Sequence, residues 1–120
     1  MDELIARITA NVGIDANVAT KAVGAILGFL KKEAPADKVE QMMAALPGAE
    51  AAIESAGGGG MLSGMMPGVM GLGSQLMGMG LGMGEITGVA KETIAFSKEK
   101  VGDGPVDEVV ASIPGLGQFI

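Results

Sequence analysis

Apolar residues along this chain recur at helical spacing. Leu4, Ile5, Ile8 and Val12 make one stripe over residues 2–12, the i, i+4 pattern of an amphipathic helix. Gly13 interrupts it, and Asp15 is placed to cap the next helix by accepting an orphan backbone N–H. That second helix carries Ala19, Ala22, Val23, Ile26, Leu27 and Leu30 with Phe29 beside them, and it stops before Pro35. A third begins near Asp37, sets Val39, Met42, Met43 and Leu46 at i, i+3, i+4 and i+7, and ends at Pro47. Proline has no N–H to give the helical ladder, so it closes the segment. The pattern predicts an all-α fold.

The same pattern returns later in the chain. A shift of 67 positions lays residues 1–53 on 68–120 without a gap. It pairs Gly13 with Gly80, Thr20 with Thr87, Phe29 with Phe96, Lys31 with Lys98 and Val39 with Val106. It also pairs Ala44 with Ala111, Pro47 with Pro114, Gly48 with Gly115 and Ile53 with Ile120. The third-helix stripe reappears as Val106, Val109, Val110 and Ile113, and Gly104-Pro105 opens that helix with proline in its first turn. The expected architecture is therefore a tandem duplication of a three-helix unit. Residues 1–53 form the first repeat, 54–67 a Gly/Met-rich linker and 68–120 the second repeat, together one compact domain. A pseudo-two-fold helical bundle follows, with Phe29 and Phe96 of the second helices meeting as the repeat core.

Between Glu54 and Glu85 the pattern changes. The 30 residues from Ser55 to Gly84 carry no charge, yet hold 12 of the 21 Gly and 7 of the 10 Met. Where the first unit has an amphipathic opening helix, the second has Val69 to Met79, apolar nearly all round. Such a helix belongs in a core, against a partner or in lipid. Three readings stand side by side. One is a flexible Gly57–Gly60 linker leading into a buried helix. Another is a self-association surface, because Gly60, Gly64 and Gly68 are spaced four apart on one helical face and Met adapts to irregular partners. The third is membrane insertion, for which the stretch has the ~20 residues a bilayer needs. Against insertion stand Pro67 in its middle and the want of a basic flank to orient it.

Composition narrows the chemistry. There is no Cys and no His, which removes disulfides, thiolate nucleophiles, the commonest general base and the commonest metal ligand. A formal charge of −6, with Arg7 the sole arginine, disfavours nucleic acid, whose phosphates need Lys and Arg. Acids cluster at helix starts (Asp2, Glu3, Asp15, Asp37, Asp103, Asp107), where the helix dipole favours them. The segment Asp103-Gly104-Pro105-Val106-Asp107-Glu108 lacks the oxygen-ligand ladder of a calcium loop. None of the five serines lies in a nucleophile elbow, and no Gly-Lys-Ser/Thr follows the glycine run. The expectation is a non-enzyme without cofactor or metal. The acidic opening, Met1-Asp2-Glu3, lacks the basic and apolar regions of a secretory signal, so a cytoplasmic location is expected.

Three segments carry a resemblance: Val12-Gly13-Ile14-Asp15, then Ala22-Val23-Gly24-Ala25-Ile26-Leu27-Gly28-Phe29, then Leu46-Pro47-Gly48-Ala49. In this order they resemble the VcgC/VcgE-like family of small bacterial proteins of unknown function. Its members also show a Gly-rich middle and a second, shortened copy of the pattern, echoed here by Leu81-Gly82-Met83 and Ile94-Ala95-Phe96. The resemblance covers most of the chain and implies no catalytic residue.

The function expected from these readings is a helical interaction protein that self-associates as a homo-oligomer through its central segment. The candidate surface is Gly60, Gly64, Gly68, Met61, Met65, Met66, Met70, Leu72, Leu76 and Met77. The same residues are the candidates for a lipid or other apolar ligand held between the repeats, and membrane association is the third alternative.

Overall fold

A computed structural model describes residues 2–55, 69–113 and 117, with only the backbone of Val69 and Met70. The described residues form seven helices: α1 (Asp2–Val12), α2 (Ala16–Glu33), α3 (Ala36–Ala45), α4 (Ala49–Ser55), α5 (Val69–Gly78), α6 (Met83–Val101) and α7 (Asp103–Ser112). The class is all-α, as the apolar spacing predicts.

Local chemistry sets most of the helix ends. Gly13 turns the chain at φ +84° and Gly80 at φ +93°, a region costly for residues with a Cβ. Asp15 caps α2, its carboxylate accepting from the Asn17 N–H at 3.2 Å. The other end of α2 closes with the Ala34 N–H donating to the Leu30 carbonyl at 2.8 Å, and Lys31 and Lys32 lie where the helix dipole favours cations. At the start of α6 the Gly82 N–H donates to Glu85 Oε1 at 2.8 Å, which occupies a backbone donor that the helix leaves unpaired. α3 ends at Ala45, two residues before Pro47.

The two longest helices, α2 and α6, touch each other and organise the rest. Helix α2 also contacts α1, α3, α4 and α5, while α6 contacts α1, α3, α5 and α7. The core runs continuously through both, from Leu4 and Ile8 on α1 to Ile26 and Leu30 on α2 and Ile86 and Val89 on α6. Phe29 and Phe96 are both buried in it. Each fully buried Leu or Ile contributes about 1.5–3 kcal/mol relative to exposure. The radius of gyration is 12.6 Å.

Helix α4 is an element that the apolar spacing does not predict; residues 49–53 read as the tail of the first unit and 54–67 as linker. Its seven residues span two turns, too few to show a period. It is marginal alone, and packing on α2 holds it. The contact depends on Gly24, where a Cβ would fall inside the Ala52 carbonyl. Ala49, Ala52 and Ile53 are buried by this approach. Gly88 on α6 differs, because a Cβ there would meet side-chain atoms of Val12, the nearest being Cγ2 at 2.9 Å, rather than backbone.

Gly24→Ala is therefore expected to destabilise the fold by about 1–3 kcal/mol through overpacking against backbone. Gly88→Ala should change stability by less than about 1 kcal/mol, since the helix-propensity gain offsets displacement of one methyl. Urea unfolding of both variants checks this, and equal midpoints would contradict the α4 packing.

Candidate interaction surface

Helix α5 is the described part of the charge-free segment. Gly71, Gly73 and Gly78 weaken its intrinsic helicity by about 1 kcal/mol each relative to Ala. What holds it is the inward face. Leu72 and Leu76, four residues apart, are 7% and 0% exposed, and they face Ile26 and Leu30 of α2 and Ile86 and Ile94 of α6 around an apolar cavity of about 10 Å³. A cavity of that size admits about one water, and a water needs polar partners. Ligand pockets are typically larger by more than an order of magnitude, at about 300–1,000 Å³. This void is a packing defect in the present conformation.

The outward side differs. Among the described residues the exposed large apolar side chains are Met77, at 55%, and Met83, at 60%. One lies near the end of α5 and the other opens α6, on either side of the Gly80 turn. Leu72 and Leu76 thus belong to the core, and Met77 to the surface. Gly60, Met61, Gly64, Met65, Met66 and Gly68 lie outside the described residues, as does the side chain of Met70.

The ion pairs among the described residues join one helix to another. Arg7 on α1 reaches α6, where its Nη1 donates to Glu99 Oε2 at 2.7 Å and its Nε lies 3.5 Å from Glu92 Oε2. Glu92 Oε2 is buried without a hydrogen bond, so its contact with Arg7 is one of charge. Asn11 donates to the other oxygen, Oε1, at 3.4 Å. The guanidinium also stands 5.6 Å from the Phe96 ring centroid, and Lys100 Nζ stands 5.2 Å from it. The hydrogen bond to Glu99, ahead of opposing desolvation and the added pull of Glu99 and Glu92, raises the Arg7 pKa above its ordinary value. Lys38 on α3 bonds Glu108 on α7 at 2.7 Å, and that bond raises its pKa as well. Lys31 meets Glu50 at 3.4 Å and Lys98 meets Asp107 at 3.2 Å.

Sequence reasoning missed the Arg7 cluster. The signal was the i, i+4, i+7 spacing of Glu92, Phe96 and Glu99 on one face, opposite the sole arginine. The chain has no His or Cys, and the lysine in this cluster, Lys100, stands over the Phe96 ring. The buried hydroxyls are also occupied: Thr93 Oγ1 donates to the Val89 carbonyl and Ser97 Oγ to the Thr93 carbonyl, each at 2.8 Å. Among the described residues no group of three or more His, Cys, Asp or Glu could hold a metal ion. No single helix among them is long and apolar enough to cross a membrane; α1 and α2 pass such a test only as a pair bent by 112°.

Comparison of the chain with protein-family models, with curated proteins and with solved structures finds no match.

Arg7→Met is expected to lower the urea midpoint at low salt, with the difference from wild type shrinking in 1 M NaCl, where the Debye length falls to about 3 Å. A difference independent of salt would assign the role of Arg7 to packing on Phe96 rather than to charge.

Proposed function

We propose that the chain is a tandem duplication of a three-helix unit, and that it acts as a non-enzymatic helical protein self-associating through its Gly/Met-rich central segment. Several observations support the duplication. The first residues of α1, α2 and α3 recur 67 positions later as the first residues of α5, α6 and α7. The positive-φ turns at Gly13 and Gly80 keep that spacing. So do buried pairs on α2 and α6 (Ala19 and Ile86, Ala22 and Val89, Phe29 and Phe96) and on α3 and α7 (Val39 and Val106, Met42 and Val109). Part of the contact pattern fits a pseudo-two-fold axis, with α1 on α6 matched by α5 on α2 and α3 against α7, while the packing of α3 on α6 has no comparable contact of α7 on α2.

The observation that carries the self-association reading is the exposure of Met77 and Met83 at the edge of the charge-free stretch. Exposed apolar patches mark contact surfaces, and Met adapts its shape to a partner. Burying one such Met contributes about 1.5–3 kcal/mol, or tenfold or more in affinity.

Native mass spectrometry across a concentration series is expected to give a multiple of the 11.9 kDa chain. Met83→Ser should weaken that assembly about tenfold or more, and bulky Leu at Gly64 and Gly68 should disrupt it. A monomer at every concentration overturns the reading. A monomer carrying extra mass would instead favour the alternative, an apolar ligand between the repeats. That alternative requires α5 to move off α2 and α6, because the space it now covers is about 10 Å³.

A further inference from the structure

The chain alternates between α5 and α6. From Met77 to Gly84 the odd positions are Met77, Met79, Leu81 and Met83, and every even position is glycine. Leu81 is 4% exposed and Met79 packs against the core, whereas Met77 and Met83 stand out at 55% and 60%. Backbone bonds fix that division. The Leu81 N–H donates to the Leu76 carbonyl at 3.4 Å and the Gly80 N–H to the Met77 carbonyl at 3.0 Å, the paired closure of a Schellman turn. Leu76 and Leu81, the residues that such a turn brings together, are both buried. Glycine leaves the outward side bare. A Cβ added at Gly78, Gly80 or Gly84 would meet nothing within 4 Å among the described residues. The two methionines are thus open to solvent, while Met42 is 1% exposed.

We propose that Met77 and Met83 form a reversible oxidation site, at which a hydroperoxide converts each thioether to a sulfoxide and thereby weakens self-association. The effect on assembly rests on the self-association reading above; the site itself rests on exposure. With no Cys in the chain, no thiolate competes for the oxidant, and thioethers are the next rung of sulfur oxidation. In the reaction the sulfur lone pair attacks a peroxide oxygen. An S–O bond forms, the O–O bond breaks and sulfur gives up two electrons. The hydroxyl proton passes to the leaving oxygen, which departs as water or an alcohol. A dithiol reverses the step, becoming a disulfide while the sulfoxide oxygen leaves as water. The sulfoxide is polar where the thioether is apolar. Buried in an apolar contact, its oxygen loses water without gaining a donor, and that cost opposes assembly. An assembled chain covers both sulfurs, so the oxidant acts on the dissociated one.

The test treats the full chain with hydrogen peroxide and follows each methionine by peptide mass spectrometry. Met77 and Met83 are expected to gain oxygen about tenfold or more faster than Met42, which reacts only when the core opens. Equal rates overturn the site. Native mass spectrometry of the oxidised chain should show assembly weakened about tenfold or more. The two methionine sulfoxide reductases, one for each epimer, should restore it with dithiothreitol as the dithiol. Unaltered assembly of the oxidised chain overturns the proposal. A double variant, Met77→Leu with Met83→Leu, keeps the apolar volume and removes both thioethers. It should assemble and stay assembled in peroxide. If peroxide disassembles it as fully as wild type, the effect belongs to another methionine and the proposal fails. A wild type that is monomeric before any oxidant refutes the self-association reading and with it the effect on assembly, while the peptide map still decides the oxidation site.

Discussion

Helix α2 is enclosed by five neighbours, and the bundle depends on how closely they can approach it. A helix buried on most sides needs small residues wherever another backbone comes near. α2 supplies Ala19, Ala22, Gly24 and Ala25 for close approach, and Val23, Ile26, Leu27 and Leu30 for burial. Gly24 is the tightest point, since the Ala52 carbonyl occupies the space of a Cβ. Moving α4 away would uncover Leu27 and Ile53, which are now buried. The cost of glycine inside a helix, about 1 kcal/mol, is offset by the surface that this approach removes from water.

Helix α6 meets its surroundings differently. In the register of the proposed duplication, Thr93 and Ser97 of α6 stand where α2 has Ile26 and Leu30, and both hydroxyls bond to carbonyls of their own helix rather than remaining unsatisfied. In the same proposed register, Gly24 and Ala25 of α2 correspond to Lys91 and Glu92 of α6. That substitution gives one long helix an apolar, close-packed flank and the other a charged flank, which Arg7 meets from α1. Ion pairs at the surface, such as Lys31 with Glu50, contribute little each. Their arrangement still selects partners, because Arg7 finds carboxylates on α6, and Lys38 finds one on α7.

The Gly/Met segment leads into both aspects of the molecule. Its described portion, α5, is held by two leucines on one side and presents a methionine on the other. Three glycines make α5 a poor helix in isolation. Its helicity is therefore a consequence of the cleft between α2 and α6. An element stabilised mainly by tertiary contact is also the one most readily displaced from it.

Much of the secondary structure was legible in local chemistry. Asp15 as a cap, Gly13 as a turn and Pro35 as a stop mark α2, and the Val39–Leu46 spacing marks α3. These signals act over a few residues, where backbone geometry and side-chain hydrogen bonds dominate. The burial of Phe29 and Phe96 could also be anticipated from their place on the apolar faces. Helix α4 was not legible, because two turns of small residues have no periodic signature and their helicity depends on Gly24, some 28 residues earlier in sequence. The ten candidate residues of the central segment could not be divided by composition either. Leu72 and Leu76 turn inward and Met77 outward because α2 and α6 cover one side of α5 alone. The sequence by itself determined that the chain is helical and where most of its helices start and stop, since turns, caps and apolar period are local properties. Tertiary structure decided which glycine is a contact, which apolar residue is core and which charges meet, because each depends on what lies across the gap.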